Sequence, residues 1–296
     1  MPRKNSIVSQ ARESVPGFEQ IYNKFVLYTT VNGYSESLRT NYVHHLAKLC
    51  LKFGRLPEHV GADEYMSYYA EIMASRSGSS LAHVVYAVRK YFSLIGAPVP
   101  FGAQVRIPKR KTLPVVMSER ELSTLLRMIP RSDILEKAML GLLADTGLRR
   151  SELLSLKIAD VDFDRSRVHV VQSKRNKDRS VPVSPSCLAV LRAYVRERSP
   201  QAHFFEREPG VRVSDACLTS AIAEAVGRAG IRKKVTAHTF RHTYASLLLE
   251  HGTSIRAVQE YMGHRSINST AVYLHLANVD TAGQRPVGLL GFVFPM

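Results

Sequence analysis

Through residues 16–96 the apolar positions fall three and four apart, the spacing that lines one face of a helix. Phe18, Ile21, Phe25 and Tyr28 make a first stripe, and Leu38, Tyr42, Leu46, Leu49 and Phe53 a second that Gly54 closes. Tyr65, Tyr68, Tyr69 and Ile72 mark a third; Leu81, Val84, Val85, Val88, Tyr91, Phe92 and Ile95 make a fourth. The pattern predicts a small four-helix bundle. Residues 1–15 read as a mobile polar arm. Residues 97–114 break the period with Pro98, Pro100, Pro108 and Pro114, and add Arg106, Lys109, Arg110 and Lys111 without an acid. Such a stretch is a stiff, extended linker.

Helical signals return over residues 115–280. Ser118 followed three residues later by Glu121 resembles a capping box, opening a helix through Leu125 and Leu126. Asp133 caps the next helix, whose buried side is Ile134, Leu135, Ala138, Met139, Leu142 and Leu143 and whose end is near Gly147. β-Branched runs at 168–171 and 179–183 flank the polar segment 173–178, which predicts a hairpin. Ser184-Pro185 starts a helix, and Ser214 or Asp215 starts another. The expected fold is mainly α, with a small antiparallel β-hairpin sheet in the second of two domains. Residues 281–296 end in an apolar tail: Val287, Leu289, Leu290, Phe292, Val293 and Phe294 have no reason to be exposed on a monomer.

Composition turns the reading toward nucleic acid. Of 296 residues, 41 are Lys or Arg against 25 Asp or Glu, a formal charge of +16, while 45% are hydrophobic. A chain with that apolar content buries proper cores, and the charge points to a polyanionic partner. Arg39, His44, His45, Lys48, Arg89 and Lys90 lie off the apolar stripes and are candidate phosphate contacts. Cys50, Cys187 and Cys217 show no ligand spacing, which fits a reducing compartment. No apolar core of a signal peptide and no membrane-length apolar run is present, so the expectation is a soluble cytoplasmic protein, associated with the nucleoid.

Chemistry concentrates in residues 236–275. His238 and Arg241 are three apart and share a helix face, while Tyr244, Ala245, Leu247, Leu248 and Leu249 supply the buried side. Gly252 closes that helix, and Ser254 caps another carrying Ile255, Val258 and Met262. Gly263 stops it, so His264 stands just past a helix end, with Tyr273 nine residues further on. Cations and proton donors around a hydroxyl suit chemistry on an anion. His238 and His242, four apart, also have a metal-like spacing with His264 as a conceivable third ligand. No acid completes an HExxH motif and no cysteine is near, so no metal is expected. Tyr244 and Tyr261 are rival nucleophiles, although the helical pattern wants both buried.

The order His-x-x-Arg, Gly-His, Tyr resembles the C-terminal signature of the tyrosine recombinases, or lambda-integrase family. Thr146-Gly147-Leu148-Arg149-Arg150-Ser151-Glu152-Leu153 resembles the family's first arginine box. The family's Gly-Lys-Gly-x-Lys-x-Arg hairpin aligns its first lysine with Lys174, although Ser173 and Arg175 replace the glycines. The likeness is good over residues 113–276 and general over 16–96. It implies a two-domain DNA clamp: an N-terminal core-binding helical domain, a linker crossing the DNA, and a catalytic domain. Tyr273 would attack the phosphodiester to give a 3′-phosphotyrosyl link, with Arg149 and Arg241 on the phosphate oxygens. His238 and His264 would donate to the phosphate or shuttle a proton, Lys174 would protonate the leaving 5′ oxygen, and Glu152 would orient Arg149. The linkage keeps its bond energy, so neither ATP nor another cofactor is needed, and no Walker motif is present. The implied partners are double-stranded DNA with inverted-repeat core sites, three further copies of the chain around a Holliday junction, and accessory DNA-bending proteins. Two other readings stay open: a type IB topoisomerase-like nicking-resealing enzyme, and a DNA-binding accessory protein that does not cleave.

Overall fold

The computed structural model describes residues 6–75, 78–105, 107, 113–171 and 178–275. The chain divides into two compact units, Met1–Lys111 and Thr112–Met296. None of the helices among the described residues is long and apolar enough to cross a membrane. Arg106, Lys109, Arg110, Lys111, Lys174 and the apolar tail at 281–296 lie outside the described residues.

Among the described residues the first unit holds five α-helices against four apolar stripes in the sequence: α1 (Ile7–Ser14), α2 (Phe18–Val31), α3 (Glu36–Phe53), α4 (Ala62–Ser75) and α5 (Gly78–Ile95). The expected polar arm is corrected here, because residues 7–14 are helical. Ser6 caps the helix by accepting the Ser9 N–H at 3.1 Å. Ala11 and Val15 are buried against the rest of the bundle, and Arg12 donates to Glu19 at 2.7 Å. Ile7 and Val8 pack partly buried against the same core, so four small contacts dock this short helix, and that signal is too sparse to stand out in a polar stretch. Phe25, Leu49, Cys50, Tyr65, Val85, Val88 and Tyr91 fill the centre of this unit.

The second unit is built around a helix that is buried along most of its length. It begins with α6 (Glu119–Arg127), closed at its start by the Ser118–Glu121 capping box, and α7 (Ile134–Thr146), capped by Asp133. From Ala138 to Thr146 every residue of α7 is buried, polar Asp145 and Thr146 included. Gly147 then takes φ of 59°, and a Cβ there would meet the Tyr244 ring at 2.5 Å. Only glycine fits both constraints, so the turn into α8 (Arg150–Ser155) is fixed.

Among the described residues the sheet has three antiparallel strands rather than two: β1 (Val161–Asp162), β2 (Arg167–Val170) and β3 (Arg179–Pro182), with Val168 opposite Val181. Next come α9 (Pro185–Arg198), a short hairpin of β4 (Glu206–Glu208) and β5 (Val211–Arg212), and α10 (Asp215–Arg228). Then α11 (Ala237–Glu250) packs on α7, followed by α12 (Ile255–Met262), α13 (Asn268–Ala271) and a 3-10 turn, Val272–His275. Tyr244 and Phe240 of α11 are fully buried in the core shared with Leu140, Leu142 and Leu191. Burying one such side chain is worth about 1.5–3 kcal/mol, so α11 is held rigidly where it carries its polar face.

Candidate active site

The site gathers where the turn before α8, the edge strand β3, and helices α11 and α12 meet. Arg149, the N-cap position of α8, is aimed by Glu152 one turn on: its N–H donates to Glu152 Oε2 at 2.8 Å and its Nη1 to Oε1 at 2.7 Å. Arg149 Nη2 reaches the Gly263 carbonyl at 3.1 Å. Arg241 is almost fully buried, 3% exposed. Its Nη1 donates to the Gly147 carbonyl at 2.7 Å, and its Nη2 donates to the Met262 carbonyl. Burial, then the charge of nearby Arg149, lowers its pKa to about 10, so it stays charged at neutral pH.

A third arginine enters that reading the sequence alone had placed only within a strand. Arg179 opens β3 and grips Glu152 with two parallel bonds, Nη1 to Oε1 at 3.0 Å and Nη2 to Oε2 at 2.7 Å, while its Nε donates to the Tyr261 carbonyl at 2.8 Å. Burial opposes the Glu152 charge, but the bonds from Arg179 and Arg149 outweigh it and hold the carboxyl down at about 2. The signal was present: in the hairpin motif aligned on Lys174, the closing arginine falls on Arg179.

Three consecutive carbonyls at the end of α12, those of Tyr261, Met262 and Gly263, therefore each accept from a different arginine. A helix C-terminus carries unpaired carbonyls and partial negative charge, so it collects cations. His264 follows directly, its Nδ1 2.9 Å from Thr270 Oγ1. Burial first, then Arg241, Arg149 and Arg179, lowers the His264 pKa to about 4, which leaves the ring neutral near pH 7. In the tautomer in which Thr270 donates to Nδ1, His264 presents Nε2–H as a donor.

Tyr273, on the 3-10 turn, is 4% exposed. Its ring stacks on His264 at 6.2 Å with an interplanar angle of 14°, and its hydroxyl lies 2.8 Å from Nδ1 of His242. Burial raises its pKa, with Arg241 and Arg149 pulling the other way. Burial thus fails to separate Tyr273 from Tyr244, which is also buried. Their surroundings do: the Tyr244 hydroxyl has no hydrogen-bond partner among the described residues, whereas Tyr273 faces imidazoles and arginines. His238, on the first turn of α11, is exposed and meets the His242 ring edge to face at 5.8 Å. Desolvation, then Arg241 and Arg149, lowers its pKa. Among the described residues no group of three His, Cys, Asp or Glu side chains is placed to hold a metal ion.

Cavities among the described residues open on this arrangement. One of about 540 Å³ is lined by Arg149, Arg150, Thr236 and His238 together with Leu218 and Ile222. Another, about 800 Å³, has Arg179, Arg256, Arg265 and His264 in its wall. In the first unit, the candidate phosphate contacts make local bonds: Arg39 donates to Thr30 Oγ1 at 2.8 Å and Arg89 to the Val105 carbonyl at 3.2 Å. Lys90 bonds the Tyr28 hydroxyl at 3.2 Å and sits over the Tyr28 and Tyr34 rings; Lys48 is half-buried.

Residues 115–279 match the family model described as the phage integrase family. The tyrosine recombinase XerA of Pyrococcus furiosus is 32% identical over 260 residues, 86% of this chain and 88% of that protein. The chain belongs to this family, the tyrosine recombinases, whose members are DNA strand-transferring enzymes. Among solved structures, a XerA recombinase aligns over 88% of this chain and 94% of its own, with 28% identity and a TM-score of 0.53. A lambda integrase (75–356) dimer bound to a COC′ core site shares the fold over 86% of this chain and 94% of its own, at 18% identity and a TM-score of 0.70.

Proposed function

We propose that this recombinase cleaves and rejoins DNA at specific sites with Tyr273 as its nucleophile and Arg149, Arg241, His238 and His264 as the phosphate pocket. The observation that carries this reading is the buried Tyr273 hydroxyl, placed beside imidazoles within a shell of fixed arginines. Attack on a phosphodiester builds negative charge on the non-bridging oxygens, and guanidiniums fixed beforehand stabilise it without reorganising. Neutral His264 adds a donor without adding charge. Glu152 and Arg179 touch no substrate in this scheme; they hold Arg149 in place. Lys174 is the proposed acid for the leaving 5′ oxygen. Because arginines supply the charge, the reaction needs no divalent ion and no nucleotide.

The further parts of the proposal are double-stranded DNA with inverted-repeat core sites, a homotetramer on that DNA passing through a Holliday junction, and cytoplasmic action at the nucleoid with DNA-bending accessory proteins. The basic linker residues 106 and 109–111, with Arg39, Lys48, Arg89 and Lys90, are assigned to backbone phosphates, where a contact shows itself as salt-dependent affinity. The deciding experiment uses a suicide substrate nicked beside the cleavage point. A covalent protein–DNA adduct is expected in EDTA, and Tyr273→Phe should abolish it while leaving DNA binding unchanged. An adduct mapped to another residue overturns the reading.

A further inference from the structure

His242 stands four residues from His238 on α11, and the proposed phosphate pocket does not use it. Yet it is the side chain whose nitrogen meets the Tyr273 hydroxyl, Nδ1 to Oη at 2.8 Å. The other imidazoles are placed for different tasks. His264 lies face to face with the Tyr273 ring and spends its Nδ1 on Thr270. His238 touches His242 rather than the tyrosine. Helix α11 is fixed by its buried Phe240 and Tyr244, so the His242 ring is presented from a rigid element.

We infer that His242 is the general base of the reaction, receiving the Tyr273 proton as the phenolic oxygen attacks phosphorus. In its Nε2–H tautomer His242 accepts from the phenol through Nδ1. As the Oη–P bond forms and the P–O5′ bond breaks, the phenolic proton passes to Nδ1, and the leaving 5′ oxygen takes its proton from the acid assigned above to Lys174. Rejoining runs the same transfers backwards: His242 returns the proton to the departing phenolate. The charged and titratable groups facing His242 are His238 and Arg241 on its own helix, His264 at the end of α12, and Tyr273 itself. Burial, then His238 and Arg241, lowers its pKa, so at neutral pH the ring is uncharged and ready to accept. The cations that discourage its protonation also make it release the proton readily, which a reversible strand transfer requires.

This inference rests on Tyr273 being the nucleophile, and the two fail differently. If another residue is the nucleophile, Tyr273→Phe still forms adduct. If Tyr273 attacks without His242, the adduct maps to Tyr273 and His242→Ala forms it at nearly the wild-type rate. The expected result is that His242→Ala binds core-site DNA with unchanged affinity and forms adduct on the order of 10²- to 10⁴-fold more slowly, the range of general base catalysis. Added imidazole should restore part of that rate. Replacing Tyr273 by a fluorinated tyrosine of lower pKa should recover the rate in His242→Ala far more than in the wild type, because an acidic phenol needs less help. The wild-type loss of rate on acidification, setting in below the ordinary imidazole range because the His242 pKa is lowered, should be absent in His242→Ala, whose rate should climb steadily with pH as phenolate forms. A loss below threefold overturns the inference. So does a slow variant indifferent to imidazole, phenol acidity and pH, which would make His242 only a packing residue for Tyr273.

Discussion

Two carboxylates bracket the turn that presents Arg149, Asp145 fully buried and Glu152 nearly so, and they meet opposite fates. Asp145, at the end of α7, points toward the start of α9: its Oδ2 takes the Ser184 N–H at 2.7 Å, and its Oδ1 has no hydrogen-bond partner among the described residues. Burial dominates and pushes its pKa up to about 6, against the Ser184 and Cys187 bonds that oppose it. Glu152, on α8, is 10% exposed and almost as deep, yet two guanidiniums hold it down at about 2. The difference teaches that depth alone does not decide a charge state; what faces the group decides it. The region against α9 is a structural joint that tolerates a proton, and the region against β3 is a charge network that has to stay ionised for Arg149 to keep its aim.

The contrast is most sharply broken at Glu152. Glu152→Ala leaves the Arg179 side chain, 7% exposed, without its carboxylate. Removing one partner of a buried ion pair costs about 3–5 kcal/mol, measured here as a lower urea midpoint at pH 7, with adduct formation falling as well. A variant as stable as the wild type would show that the network is not the buried pair described.

The next effect is a matter of pH. Because the folded value of Asp145 lies above its ordinary 3.8, the native state binds the extra proton between pH 3.8 and about 6. Stability should therefore drop by roughly 3 kcal/mol as pH rises through that window, at about 1.4 kcal/mol for each pH step. Glu152 works in the other direction: its contribution is complete above its ordinary 4.5 and is lost as pH falls toward 2. Urea unfolding of Asp145→Asn across pH 2–7 should lack the downward slope above pH 4 and keep the acid-side loss. A slope that persists would place its origin elsewhere.

The smallest effect belongs to Arg179→Lys. An ammonium keeps the charge but cannot hold both Glu152 oxygens and the Tyr261 carbonyl at once. The expected loss is about 1.5–3 kcal/mol in stability. Adduct formation should slow while affinity for core-site DNA holds; an unchanged adduct rate would show that Arg149 needs no help from β3.

What the sequence made legible was local. Ser118, Asp133, Ser184, Ser214 and Ser254 cap the helices expected of them, and Gly147 and Gly263 stop helices in the left-handed conformation. Caps and glycine stops depend on neighbours a few residues away, so they survive without tertiary knowledge. Strand β1 and the β4–β5 hairpin, two or three residues each, exist only through pairing and leave no period to read. The candidate site divides in the same way. Motif spacing exposed Arg149, Arg241, His264 and Tyr273. The roles of Arg179 and His242 arise from contacts across 27 and 31 residues of chain, which spacing along one helix does not encode.

The last turn of α12 works as a common bearing for parts that arrive from three directions. Arg149 comes from the turn before α8, Arg179 from β3 and Arg241 from α11, and each is located by a carbonyl of the same short segment. A slide of that turn by a single residue's rise, about 1.5 Å, would carry all three acceptors away together, well beyond the roughly 0.5 Å that a catalytic constellation tolerates. Any such displacement of this eight-residue helix would therefore misalign the three guanidiniums as one set rather than singly.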